Sequence, residues 1–161
     1  MPARKEDWPA RLAAAIAAQA AAPFAWGRRD CMLAVADVIL AMTGVDPAAG
    51  WRGSYDDAPG AALALKRIAG PGVDHERLLE LAVERLAADF GCPEIPPLKA
   101  GRGDVVLARI DGESLATSWS SGLARGCALA IVDTSGRRAV AAANPGWAYL
   151  AVDAGDRAWR V

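Results

Sequence analysis

The chain reads as α+β, with N-terminal helices packed on a C-terminal antiparallel β-sheet. Alanine-rich and helix-period segments fill the part before Gly91, and short β-branched runs broken by glycine and proline turns fill the part from Asp104 onward. No internal repeat and no linker interrupts residues 1–161, which read as a single domain long enough to bury a core.

Taken in order, Ala10 to Ala22 has the composition of a helix, and Pro23 stops it. Phe24 to Met42 follows, FAWGRRDCMLAVADVILAM, with apolar residues at Cys31, Ala34, Val35, Val38, Ile39 and Met42. That spacing predicts a helix from Cys31 to Thr43 with one buried stripe, Asp30 as N-cap and Gly44 as C-cap. Residues 45–60 form a polar, glycine-punctuated loop, in which Trp51 and Tyr55 are anchors onto the core. Ala61 to Ala69 predicts a short helix, broken by Gly70-Pro71-Gly72. Asp74 caps a further helix over 75–90, which Gly91 ends, and residues 92–103 are a proline-rich connector. Strands are predicted at Asp104–Ile110, Cys127–Asp133, Arg138–Ala143, Trp147–Val152 and Arg157–Val161. A long polar insertion, Asp111–Gly126, separates the first two.

The bulk numbers exclude several functions. Lys and Arg number 18 against 19 Asp and Glu, so no basic surface for nucleic acid is expected. No apolar run reaches the length of a membrane span. The segment MPARKEDW carries acids beside its bases and leads into no signal-peptide cleavage pattern, which predicts synthesis in a bacterial cytoplasm. The three cysteines, Cys31, Cys92 and Cys127, have no CxxC spacing and suggest neither a zinc site nor a disulfide framework. No metal set and no cofactor motif is evident: Asp46, Asp56 and Asp57 read as solvated loop acids, and Gly101 and Gly103 lack the Gly-Lys-Ser/Thr of a phosphate loop. Abundant alanine, with arginine as the main base, has the flavour of a GC-rich bacterial or phage genome.

The candidate chemistry lies at Cys31. A thiol at the first position of a helix feels the positive end of its dipole, and Arg28 and Arg29 stand close in sequence, so thiolate is favoured and Cys31 is a candidate nucleophile. The other reading is a small buried hydrophobe, the usual role of a free cysteine. Trp26, Trp51 and Tyr55 are the candidate substrate- or partner-binding aromatics, with Trp119 a further exposed candidate. Ser118, Ser120 and Ser121 lack a nucleophile elbow.

Several motifs then occur in one order: Phe24-Ala25-Trp26-Gly27-Arg28-Arg29-Asp30-Cys31, Thr43-Gly44-Val45-Asp46-Pro47, Trp51-Arg52-Gly53-Ser54-Tyr55, Gly103-Asp104, and Ala158-Trp159-Arg160-Val161. Over Pro23–Val161 this resembles the NlpC/P60 superfamily of papain-like cell-wall peptidases, in particular its compact members encoded among phage and prophage tail genes. The resemblance implies a papain-like fold and a nucleophile at Cys31. It also implies a histidine at the start of the second core strand, and setting Ile131 on the family's isoleucine puts Ala128 there. A third polar residue would fall near Ala141, with Asn144 the nearest candidate. The single histidine, His75, sits at the start of a separate polar helix and reads as a surface residue.

Two functions follow as expectations. In the first, the chain is a tail-tip or tail-assembly component with a decayed catalytic pair. Its partners would be hub, distal tail or fibre proteins, and its final place a virion or tail-like particle. In the second it is an active cysteine hydrolase on peptidoglycan peptides, using Cys31 and a non-standard base.

Overall fold

A computed structural model describes residues 2–109 and 127–161. The insertion Asp111–Gly126, with Trp119 and its serines, and the His75 side chain lie outside the described residues. The fold is α+β, with four α-helices and a six-stranded antiparallel sheet. The helices are α1 (Trp8–Ala18), α2 (Cys31–Thr43), α3 (Ala58–Ala69) and α4 (Leu78–Asp89). The strands are β1 (Glu94–Ile95), β2 (Val105–Arg109), β3 (Cys127–Val132), β4 (Arg138–Ala142), β5 (Trp147–Ala151) and β6 (Gly155–Trp159). They lie in the order β1-β6-β2-β3-β4-β5.

All four helices bury residues against one face of the sheet. Val105, Leu107, Leu129, Ile131, Val140 and Trp159 share that core with Leu12, Val35, Val38, Met42, Leu65, Leu78 and Leu79. Each large aliphatic side chain so buried contributes about 1.5–3 kcal/mol. The opposite face carries small residues, Val106, Ala108, Ala128, Ala130, Val132, Ala139, Ala141 and Ala158, all buried.

α2 is the helix that matters most for the site. It starts and stops where its caps predict: Asp30 accepts from the Met32 and Leu33 N–H groups, and Gly44 takes the left-handed φ of 82°. The expectation of one buried stripe is corrected. Leu33 and Ala36, on the side away from the sheet, are buried under Ala48, Trp51 and Tyr55 of the 45–57 loop. Arg52 pins that loop down, bonding Asp46 at 2.9 Å and Asp37 of α2 at 2.9 Å.

Other boundaries moved for local reasons. α3 begins before the expected Ala61, because Asp57 caps it through the Gly60 N–H at 2.7 Å and Pro59 sits in its first turn. Asp74 does not cap α4 with its side chain; a 3-10 turn, His75–Arg77, precedes the helix instead. β1 lies inside the connector, and it forms because β6 supplies a partner edge, pairing Glu94 with Trp159.

The start of β2 is a second node. Asp104, 3% exposed, accepts from the Gly101 N–H at 2.9 Å and from Arg4 at 2.7 Å. Arg4 also donates to the Val161 carbonyl at 2.6 Å, so the 2–5 arm, β2 and the segment after β6 meet at one carboxylate. Gly103 turns into this strand with φ 78°, and a Cβ there would stand 2.8 Å from the Met42 sulfur of α2. Gly103→Ala is expected to cost about 1–3 kcal/mol, from left-handed strain and that contact, read as a lower denaturant midpoint with an unchanged m-value.

Candidate functional site

The Trp26–Gly27 turn, the start of α2 and the 45–57 loop converge on Asp30. This carboxylate is 1% exposed and fully engaged. One oxygen accepts from Met32 N–H at 3.1 Å and Leu33 N–H at 3.0 Å. The other accepts from Gly27 N–H at 3.0 Å and from the Tyr55 hydroxyl at 2.7 Å. Gly27 has φ 71°, and a side chain there would overlap the Tyr55 carbonyl oxygen, so turn and loop touch at backbone distance. Burial, and then the charge of the neighbouring Asp30, push the Tyr55 hydroxyl far above its ordinary range.

Cys31 follows Asp30 at the first position of α2 and is 8% exposed. Burial pushes its thiol well above the ordinary cysteine range, and the Asp30 charge pushes the same way. The backbone N–H groups of Leu129, Met32 and Cys31 itself pull it back by less. The expectation of a favoured thiolate is therefore corrected: desolvation and a neighbouring carboxylate outweigh the helix dipole. Arg29 gives no help. Its guanidinium bonds the Ala143 carbonyl at 3.1 Å and Gln19 at 3.1 Å, bonds the Gly146 carbonyl, and lies 5.0 Å from the Trp147 ring centroid.

The strand facing the thiol is β3, but in another phase than the alignment implied. Cys127, Leu129 and Ile131 point to the helices, and Ala128, Ala130 and Val132 point to the other face. Ala128 is thus on the wrong side of the sheet to address Cys31, because a one-residue offset moves every side chain across it. The positions that face the helices near the thiol hold Leu129 and Cys127. Ala141 likewise faces away, in the same alanine layer. Asn144 accepts from the Phe24 N–H at 3.3 Å and so ties the β4–β5 turn to the segment before α2.

The candidate binding aromatics are placed as follows. Trp26 is partly buried and meets Phe24 edge-on, with centroids 4.9 Å apart. Trp51 lies parallel to Tyr55, with centroids 6.3 Å apart, and its indole N–H is buried without a partner among the described residues. Trp51 also borders an apolar cavity of about 70 Å³ between α2 and α4, with Met32, Ile39, Leu86 and Phe90 on its walls. Tyr55 is a strut, with its hydroxyl committed to Asp30. The sequence had marked Tyr55 as an anchor, and no spacing rule reveals that its hydroxyl reaches Asp30. Among the described residues, no group of three or more His, Cys, Asp or Glu side chains could hold a metal ion, and no helix is long and apolar enough to cross a membrane.

Residues 3–161 match the model of a domain family of unknown function, DUF6950. The chain belongs to the DUF6950 family. No curated protein and no solved structure matches it. In this DUF6950 chain the Asp30-Cys31 pair is a packed helix start, with a buried thiol beside a saturated carboxylate.

Three measurements probe this packing. Tyr55→Phe leaves a buried carboxylate short of one donor and is expected to cost about 1.5–3 kcal/mol in chemical denaturation. Cys31 should resist a thiol reagent at pH about 8 in the native protein and react on unfolding. The same thiol gives a pH signature. Its folded pKa is raised, so its contribution is full below the unfolded pKa and is lost as pH rises beyond it. Stability should fall above about pH 9, and Cys31→Ala should flatten that fall.

Proposed function

We propose that this DUF6950 protein is a phage or prophage tail-tip or tail-assembly component, built on an NlpC/P60 peptidase-like fold whose catalytic centre is silent. The observation that carries this reading is the setting of Cys31: a buried thiol packed in one core with Leu129, on the strand face where a peptidase needs an imidazole. Amide cleavage by a cysteine requires a base to hold the thiolate and an acid to protonate the leaving amine. The chain's single histidine, His75, stands in the turn leading into α4. The motif order from Phe24 to Val161 supports the family resemblance, and a helix starting with Cys31, laid on an antiparallel sheet, suits it. Its partners in this reading are hub, distal tail or fibre proteins, and the particle lies against peptidoglycan.

Reuse without chemistry is physically reasonable, since function belongs to the site and the scaffold survives its loss. General acid–base help is worth about a hundred- to ten-thousand-fold, and a cooperating set loses most of its gain with one member. The purified protein should release no soluble muropeptides from sacculi above the level of Cys31→Ala. Turnover by the wild type that disappears in Cys31→Ala would establish the hydrolase instead. In a tail-producing strain deleted for this gene, wild type and Cys31→Ala should restore particles equally. Particles that assemble fully without the gene would remove the structural role. Ala128→His, the substitution the alignment suggests, should yield no activity, because it puts an imidazole into the buried alanine face. It should cost about 1–3 kcal/mol or more by overpacking.

A further inference from the structure

The two edges of the sheet are finished differently. β1, at one edge, is two residues long and lies between Pro93 and Pro96. Short length and flanking prolines stop an edge from recruiting another strand. β5, at the other edge, is Trp147-Ala148-Tyr149-Leu150-Ala151, with no charge, no proline and no bulge in its pairing to β4. The 16–22 segment covers only its start, where Gly146 N–H donates to the Ala22 carbonyl at 2.9 Å and the Trp147 indole N–H to the Ile16 carbonyl at 2.9 Å, and the strand itself carries no charge or proline that would blunt the rest of the edge.

The outward-facing backbone groups of β5 follow from the ladder. Ala143 N–H donates to the Gly146 carbonyl at 2.8 Å, closing the β4–β5 hairpin. Bonded and non-bonded pairs alternate from there. Ala148 and Leu150 spend their groups on Ala141 and Ala139, while Trp147, Tyr149 and Ala151 turn theirs away from β4. The neighbouring hairpin agrees: Asp133 N–H on the Arg138 carbonyl gives Val140 to β3 and leaves Ala139 and Ala141 for β5. The Ala151 carbonyl leads into the 3-10 turn Val152–Ala154. The outward set is therefore the N–H and C=O of Trp147 and Tyr149 and the N–H of Ala151, and no described residue bonds to them. Tyr149 is 62% exposed, and Arg138 of β4 holds its ring back at 4.8 Å.

We propose that β5 pairs antiparallel with β5 of a second copy, across a two-fold axis at Tyr149, and joins two sheets into one. The outward pattern is its own complement. With Tyr149 opposite its counterpart, the two exchange N–H···O=C bonds, and each Ala151 N–H meets the Trp147 carbonyl of the other copy. A strand without charges sets no like charges against each other, and the two-fold closes the assembly. The proposal stands apart from the tail reading and holds for this chain in any setting.

The test is sedimentation velocity of the full chain. The contact is short, at the small end of specific interfaces, so association should be weak and rise with concentration between about 10 µM and about 1 mM. Tyr149→Pro removes an outward donor and should remain monomeric throughout. Tyr149→Lys keeps every β4 bond and places two ammonium groups about the axis, so it should also remain monomeric, with some dimer returning in high salt. If Tyr149→Pro fails to fold by circular dichroism, Tyr149→Lys decides. A wild type that stays monomeric to about 1 mM, including one whose β5 takes only a foreign strand, overturns the proposal. So does a folded Tyr149→Lys that dimerises like the wild type at low salt.

Discussion

A single carboxylate with four donors organises the helical side of this molecule. Asp30 is buried, and a buried charge is tolerable only when its lone pairs are spoken for. The donors come from three places in the sequence: Gly27 of the preceding turn, Met32 and Leu33 of α2, and Tyr55 of a distant loop. Satisfying Asp30 therefore sets the angle at which the chain enters α2 and the height at which the loop crosses it. Trp51 and Ala48 are then carried onto the outer side of α2, and the helix becomes buried on two sides. Asp104 does the same work at the start of β2, gathering Arg4, Gly101 and Val161. The two acidic residues that the motif comparison singled out both tie together segments distant in sequence.

That architecture shows how a cysteine beside Asp30 is held as part of the core. The first position of α2 is buried in the same core as Leu129 of β3. The dipole that would activate an exposed thiol still points at the sulfur. It is outweighed because water is excluded and the nearest full charge is negative. Whether a helix-leading cysteine is a nucleophile or a core atom is thus decided by solvent and by the strand opposite, which the helix sequence does not contain.

Much of the fold was legible before the structure. α2 was readable to the residue, because both its caps are side-chain or glycine signals local in sequence. The strands from Val105 onward were found because β-branched runs and turn residues are local too. What failed was long-range. β1 exists only because β6 lies beside it, and two residues between prolines carry no signal of their own. The start of α3 was signalled by Asp57 and Pro59 but read as loop, since the glycine-rich stretch before it obscured the boundary. At the site, Cys31, Asp30 and Tyr55 were all noticed, yet their relation was not, because nothing in the spacing says that the Tyr55 hydroxyl ends on Asp30. The placement of Ala128 failed for a stricter reason. A strand has a period of two, so an alignment without a fixed register has an even chance of choosing the wrong face.

The strand order carries a consequence for how the chain reaches this state. β2 has β3 on one side and β6 on the other, and β6 follows only after the whole β3–β5 meander. β1 precedes β2 closely, yet the two are not neighbours, so the sheet cannot zip up in chain order. The helices can form as they are made, but the surface they rest on is completed by its most distant strand. Such long loop closures slow folding. In the interval the apolar sides of α1 to α4 have only each other for cover, which makes this a chain whose yield depends on temperature and crowding more than its final stability would suggest.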